Sequence, residues 1–321
     1  MHADTLTVVV PTFRRPEGLA CVLAGIARQR DPGVPWDVVV VDNDDPPGAF
    51  ATFEQARKSL PVPARLVREE ARGAAHTRNR GVDEATGAIV VFIDDDVDPA
   101  DDWLARLTEP ILAGRCEGTG GHVVLDPAVP RPPWFIESWM GGYLAAFDRG
   151  PAEISIAADD FVITASAAFR ADAVRAAGGF DPELGPRSGV QLVNDDLSLC
   201  RRVMAAGGRI HYVPDAVVVH ELPPHRLRRR FVLRRTYCQG RSDWLLERTE
   251  YEAHPVAAAM AALNWLARVQ GGYLRQGIWH PSVAFQAACD VARAAGRLRE
   301  SAWAISGRRP LRPAPRPTPL R

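Results

Sequence analysis

Lysine is almost missing from this chain. Lys58 is the sole one, so nearly all positive charge is guanidinium. Together with abundant alanine, that bias reflects high-GC codon usage and carries no mechanistic message. Cysteine is sparse as well. Cys21, Cys116, Cys200, Cys238 and Cys289 are widely separated and odd in number. They form no CxxC or Cys/His cluster, which argues against a zinc pattern and against a disulfide framework. No uninterrupted apolar run reaches the roughly 18 residues that a membrane-spanning helix needs. Met1-His2-Ala3-Asp4 lacks the basic-then-apolar order of a secretory leader. These absences lead to the expectation of a reducing, cytoplasmic setting. Net charge is absent too: Lys+Arg and Asp+Glu each total 39, so charge offers no argument for nucleic acid as a partner. Three sequence motifs are also lacking. Without GxxxxGK[ST], without GxGxxG after the first strand and without GxSxG, a P-loop nucleotidase, a nicotinamide dehydrogenase and a serine hydrolase are all disfavoured.

What is present suits one large α/β domain or two closely joined lobes, since 321 residues can enclose a sizeable core. Residues 6–10, 38–41, 64–67 and 89–93 read as short strands. Helical spacing fills the gaps at about 17–29, 50–60 and 73–85, with Gly87 as a C-terminal cap. Strands separated by helix-length segments indicate βαβ units and a mostly parallel sheet. From about Cys116 to His220 the pattern changes to Gly- and Pro-rich turns between shorter apolar pieces. In that part, 197–206 reads as a helix, and 210–213 and 216–219 read as strands. Pro130-Arg131-Pro132-Pro133-Trp134-Phe135 reads as a stiff loop with exposed aromatics. After Pro223 the chain turns basic and helical, and from Arg308 alternating Pro and Arg predict a disordered tail. The expected organisation is therefore 1–115, 116–222, 223–305 and a tail at 306–321.

The strongest chemical signal is Val90-Val91-Phe92-Ile93-Asp94-Asp95-Asp96, an apolar strand ending in three carboxylates. Strand ends are where open α/β sheets present ligand sites. Alternate residues point to one side, so Asp94 and Asp96 are spaced to share a cation such as Mg²⁺ or Mn²⁺. The competing reading is a solvated turn. A second acidic site, Asn194-Asp195-Asp196, precedes the 197–206 helix. Capping explains one acid there, and a general base is the alternative for the other. His220 follows an apolar strand and is either structural or a metal ligand. Asp42-Asn43-Asp44-Asp45 ends the second strand, where a carboxylate can meet a nucleotide or simply form an Asx-rich turn. Arg78 is suited to a diphosphate or to a surface acid.

Taken in order, these segments resemble glycosyltransferase family 2, whose members have the GT-A fold. The matching pieces are VVVPTFRRPEGL (8–19), VVVVDNDDP (38–46), ARGAAHTRNRGVDEATGAIVVFIDDDVDP (71–99), GGFDPELG (178–185), DDLSLCRRVMAAGGRIHYVPDAVVVH (195–220) and, more weakly, RRTYCQGRSDWLL (234–246). The resemblance implies a Rossmann-like mixed central sheet flanked by helices, with a C-terminal helical extension. The nucleotide-sugar half would be 1–115, the acceptor half with the base 116–222, and the basic extension 223–305.

The resemblance implies sugar-nucleotide contacts from Pro11, Thr12, Phe13, Arg15, Asp42, Asp44, Arg78, Asp94 and Asp95. It implies metal binding by Asp94, Asp96 and His220, and catalysis by Asp196 with Asp195 beside it. The family's ED motif reads Asp195-Asp196 here, with Ser198 in place of a frequent second acid. A non-processive, inverting transfer from a UDP-sugar to a small-molecule, glycan or lipid-linked acceptor is the implied activity. Gln239-Gly240-Arg241-Ser242-Asp243-Trp244 does not match the QxxRW of processive synthases. The alternative is a non-catalytic sugar-nucleotide or glycan-binding protein on the same fold. The arginines at 226–235 are read as plain packing of a helical layer, as a lid over donor phosphates, or as a peripheral contact with the inner face of a membrane.

Overall fold

The computed structural model describes residues 5–187, 190–251, 253–276 and 281–307. In chain order the strands are β1 (Leu6–Thr12), β2 (Trp36–Asp42), β3 (Ala64–Arg68), β4 (Ile89–Ile93), β5 (Val97–Pro99), β6 (Gly118–Leu125), β7 (Ile154–Ser155), β8 (Ser166–Arg170), β9 (Pro186–Arg187), β10 (Val190–Gln191) and β11 (Ile210–His220). The helices are α1 (Pro16–Ala27), α2 (Phe50–Ala56), α3 (Ala74–Glu84), α4 (Trp103–Leu112), α5 (Glu137–Met140), α6 (Ala171–Ala176), α7 (Asp195–Ala205), α8 (Arg229–Tyr251), α9 (Pro255–Gln276) and α10 (Pro281–Ile305).

One mixed sheet organises the molecule, in the order β3-β2-β1-β4-β8-β6-β11-β5, with β7 on β11. Strands β3, β2, β1 and β4 run parallel. Their residues Val8–Val10, Val38–Val41 and Ile89–Ile93 are fully buried, as expected of strands covered on both faces. Strand β8 is antiparallel to both β4 and β6, and β6 is parallel to β11. Two reversals restore the original direction. The carboxyl end of β11 therefore emerges on the same edge as that of β4, and His220 pairs with Val97 directly after the three acids. This topology is what unites residues 94–96 with residue 220.

Several expectations need correction. Segments 210–213 and 216–219 form one strand, with a register shift between Val213 and Val217 where Pro214 interrupts the ladder. Gly87 does not cap α3, because Ala85 does so in an extended conformation. Gly87 instead permits close approach: a Cβ there would lie 2.7 Å from the carbonyl carbon of Leu6. Trp134 and Phe135 are not exposed. They pack with Met140, Val232 and Phe285, and Trp134 meets Phe285 edge-on at 4.8 Å between ring centres. The sheet is mixed rather than mostly parallel, because β5, β7 and β8 run against their neighbours. The tail from residue 308 lies outside the described residues.

The C-terminal helices form a layer in which α8 and α10 cross with their backbones touching. A Cβ on Gly240 would overlap the Arg293 carbonyl, and one on Gly296 would overlap that of Tyr237. Arg241 and the fully buried Glu300 pair at 2.6 Å in the same crossing. Among the described residues, no helix is long and apolar enough to cross a membrane.

Candidate active site

Three strand ends, those of β1, β2 and β4, supply one side of the site. Thr12, at the end of β1, donates its hydroxyl to Oδ2 of Asp95 at 2.7 Å, and Arg15 Nε lies 3.2 Å from Oδ1 of the same carboxylate. Burial is the largest influence on Asp95 and pushes its carboxyl up to about 7, while Thr12 pulls the other way. Arg15 also pairs with Glu221, tying the segment after β11 to the first loop.

At the end of β2, Asp42 faces its own loop. Its carboxylate accepts from the backbone N–H groups of Asp44 (2.8 Å), Gly48 (3.1 Å) and Ala49 (3.0 Å). The Asx-turn reading accounts for both of its oxygens. Asp44 in turn accepts from the Arg14 N–H at 2.6 Å. Beside this loop, the half-exposed Phe13 ring lies between two guanidiniums, Arg14 at 5.1 Å and Arg72 at 5.0 Å from its centre. Pro11 is a β1 residue paired with Val41, set just before this platform.

The three acids after β4 point to three different partners. Asp94 takes Arg78 Nη2 at 3.0 Å, and Asp95 takes Thr12 and Arg15. Asp96 approaches His220, with Oδ1 3.4 Å from Nε2, and takes Arg226 Nη2 on Oδ2 at 3.0 Å. Burial opposes the charge on Asp96, but His220, Arg226 and Arg15 outweigh it and hold its carboxyl below the usual range. Burial lowers the pKa of His220.

The other side of the site is built around the first turn of α7. Asp195 is buried and receives Arg78 Nη1 at 2.8 Å, so that one guanidinium joins α7 to α3 and to Asp94. Burial raises the Asp195 pKa against the pull of Arg78. Asp196 is partly exposed. It accepts the Thr164 hydroxyl at 2.8 Å on Oδ1 and the Thr164 N–H at 3.4 Å on Oδ2. Burial, then the neighbouring Asp195 charge, pushes Asp196 up to about 7. A carboxyl there is poised to take up a proton near neutral pH.

Capping does not explain this acid pair. Asn194 is the N-cap in a left-handed conformation (φ 75°) without a side-chain cap bond. Its amide instead donates to Asp243 at 3.1 Å and accepts from Gln239 at 2.9 Å. Ser242 receives the Val193 N–H at 2.9 Å. Helix α8 thus clamps the approach to Asp195 and Asp196. From the other side, Asn79 grips Phe180 through both backbone groups, at 2.7 and 2.8 Å. Gly179, at φ 71°, makes room for that amide, since a Cβ there would lie 2.6 Å from Asn79 Oδ1.

The structure therefore gathers Thr12, Arg15, Arg78, Asp94, Asp95, Asp96, Asp195, Asp196 and His220 into one linked array. It engages Asp42 within its own turn, and it separates Asp94 from the His220 pair by giving it to Arg78. Among the described residues, no three Cys, His, Asp or Glu side chains converge on a point that could hold a metal. The donor set that fits one is Asp96 with His220: a hard oxygen and an imidazole nitrogen 3.4 Å apart. A Mg²⁺ or Mn²⁺ held by two side chains keeps positions open for phosphate oxygens, its usual manner of binding.

Thr164, Arg226, Gln239 and Asp243 were not recognisable as individuals from the sequence. Arg226 lay in a noticeable arginine cluster, Gln239 and Asp243 lay in the weakly matching piece 234–246, and Thr164 carried no motif. In the cluster, Arg229 lies over Trp134 and Phe285, Arg235 donates to the Gln191 carbonyl at 3.3 Å, and Arg228, Arg229, Arg230 and Arg234 are exposed.

Comparison with known proteins agrees with this layout. Residues 7–171 match the family described as "Glycosyl transferase family 2", and residues 153–300 match "Glycosyl transferase family group 2". The chain is 28% identical over 249 residues to "Succinoglycan biosynthesis protein ExoM" of Rhizobium meliloti, covering 75% of this chain and 74% of that protein. It is 29% identical over 272 residues to the "Pre-mycofactocin glycosyltransferase" of Mycobacterium tuberculosis, covering 82% of this chain and 52% of that protein. The chain thus spans about half the length of this second relative.

Among solved structures, the mannosyltransferase PcManGT from Pyrobaculum calidifontis, in complex with GDP-Man and Mn²⁺, superposes with a TM-score of 0.61 at 20% identity, over 94% of this chain and 88% of that one. S. aureus TarS 1-349 in complex with UDP gives 0.53 at 14% identity, over 94% and 92%. The fold is the GT-A fold.

Proposed function

Because the chain belongs to glycosyl transferase family 2, we propose that it moves one sugar from a nucleoside-diphosphate sugar to an acceptor hydroxyl, with inversion at the anomeric carbon. The observation that carries this reading is Asp196: a carboxyl with its pKa near 7, oriented by Thr164 and backed by the Arg78–Asp195 pair. Asp196 takes the proton from the acceptor hydroxyl. The acceptor oxygen forms its bond to the anomeric carbon as the bond to the diphosphate oxygen breaks, and the electron pair leaves with the nucleoside diphosphate. Asp195 carries no proton in this step. It fixes Arg78, and Arg78 in turn holds Asp94 at 3.0 Å.

Asp96 and His220 are the residues that would hold a Mg²⁺ or Mn²⁺, and such an ion supplies Lewis-acid stabilisation of the charge growing on the leaving diphosphate. Phe13, with Arg14 and Arg72 close to its ring, offers a cation-rich aromatic surface at the mouth of β1 that suits a base or ribose phosphate. The donor is a UDP- or GDP-sugar, in keeping with the nucleotides carried by the two structural neighbours.

A thermal-shift screen of nucleotide sugars with Mn²⁺ tests this directly. A true donor raises the melting temperature, and the rise grows with the logarithm of its concentration over Kd; release of the nucleoside diphosphate then reports turnover. Absence of any shift with every nucleoside-diphosphate sugar, at millimolar concentration, would remove the transferase reading.

A further inference from the structure

We propose that Arg226 is a built-in counter-cation for the Asp96–His220 pair. It contacts Oδ2 of Asp96 and Nε2 of His220 and is handed over to the donor diphosphate when a divalent cation binds. This rests on the reading of Asp96 and His220 as the metal ligands.

The contacts are specific. Arg226 Nη2 lies 3.0 Å from Oδ2 of Asp96, and Nη1 lies 3.4 Å from Nε2 of His220. Nε2 of His220 lies 3.4 Å from both Arg226 Nη1 and Asp96 Oδ1. A guanidinium has donors only, so Nε2 accepts from Arg226 in the tautomer that carries its proton on Nδ1. The imidazole nitrogen and the carboxylate thus both face one positive group, and they are the two donors that a divalent cation would take. Two positive groups cannot share those donors at such range, because their repulsion in a partly enclosed site amounts to several kcal/mol.

The geometry allows exchange without unfolding anything. The segment after β11 is pinned at its start, where the Glu221 N–H donates to the Asp96 carbonyl at 2.8 Å. It is pinned further on by Leu222, Leu227 and Phe231, which pack with Leu125 and Leu144. Between these anchors Arg226 sits in a turn, its N–H on the Pro223 carbonyl at 2.9 Å, with about a fifth of its side chain exposed. Rotation of the side chain alone releases the pair. The freed guanidinium remains beside Asp96, within reach of phosphate oxygens gathered there, and phosphate is the anion a guanidinium binds best.

The proposal makes two effects run in opposite directions. Calorimetric titration of the full chain with MnCl₂, without nucleotide, should show Arg226→Gln binding Mn²⁺ about tenfold or more tighter than wild type. Adding His220→Ala should abolish that gain. With Mn²⁺ saturating, Arg226→Gln should bind UDP or GDP more weakly and turn over more slowly, with Arg226→Lys between the two. Thermal melting of each variant verifies that it is folded. Equal or weaker Mn²⁺ binding by a folded Arg226→Gln, with nucleotide binding intact in the wild type, overturns the counter-cation and leaves the transferase reading standing. Failure of the wild type to bind any nucleoside diphosphate overturns that reading instead.

Discussion

Arg78 Nη1 lies 2.8 Å from Oδ2 of Asp195, a contact between buried side chains 117 residues apart. Through it, the helix preceding the acidic strand and the helix that carries Asp196 become one unit, with Asp94 held on the other nitrogen. Removing one partner of a buried ion pair typically costs about 3–5 kcal/mol, because the remaining charge is left without compensation. Arg78→Met should lose stability in that range by urea unfolding. Arg78→Lys should lose less but still fail to join both carboxylates. A loss below about 1 kcal/mol in Arg78→Met would show that the pair is not structural.

Thr164 donates to Asp196 at 2.8 Å and so favours its charged form. Hydrogen bonds to charged groups contribute about 1.5–3 kcal/mol, and 1.36 kcal/mol corresponds to one pKa unit. Thr164→Val should therefore raise the Asp196 pKa further. The limb of the pH–rate profile that rises from acid should move upward by about one unit, with most activity recovered above pH 8. An unmoved limb would mean that another group controls it.

Asp196 also ties activity to stability. Its folded pKa is raised, chiefly by burial, from 3.8 to about 7. The unfolded chain loses this proton first, so stability falls as pH rises between those two values and stays low above them. Asp196→Asn escapes that loss. Without ligand it should melt higher than wild type at pH 8, by about a few degrees, and the gain should vanish near pH 4. A variant that is less stable at pH 8 would contradict the assigned burial cost.

The three adjacent acids should separate by function. Asp96→Asn and His220→Ala should weaken Mn²⁺-dependent nucleotide binding, and a chelator should reduce the wild type to their level. Asp94→Asn should leave Mn²⁺ affinity nearly unchanged, since that carboxylate sits on Arg78. Calorimetry with and without Mn²⁺ distinguishes them, and equal losses in all three variants would restore Asp94 as a ligand.

Gly240 lets α8 lie directly on the Arg293 carbonyl of α10. Gly240→Ala should push the helices apart, at a cost of about 1–3 kcal/mol or more. It should also loosen the Asn194–Gln239–Asp243 clamp and lower turnover more than nucleotide affinity. Hydrogen exchange at residues 190–196 would register the loosening, and unchanged protection there would uncouple the helical layer from the base.

Much of this site was legible in the sequence because it lies at strand ends. An apolar run terminating in Asp94-Asp95-Asp96 announces both the strand and the edge. The acids before α7 and His220 after β11 are likewise marked by the apolar elements they adjoin. The division of labour among the three acids was not legible. It depends on Arg78, Arg15 and Arg226 arriving from distant parts of the chain: residues 94–96 lie past the end of β4, and Asp94 faces Arg78 while Asp96 faces His220 and Arg226. Asp42 looked like a ligand residue but folds back on its own loop, an ambiguity that any Asx-rich turn carries. Thr164 and Asp243 were hard to single out for a simpler reason: Thr164 matters through Asp196, 32 residues away, and Asp243 through Asn194 and Arg293, 49 and 50 residues away.

The most direct test of the whole account pairs Asp196→Asn with Asp195→Asn and measures two things in each: binding of the donor with Mn²⁺, and release of nucleoside diphosphate during transfer or slow donor hydrolysis. Asp196→Asn should bind the donor as wild type does and lose about 10²–10⁴ in turnover, whereas Asp195→Asn should lose stability along with activity. Near-normal turnover in Asp196→Asn, at any pH between 6 and 9, would contradict its role as the base.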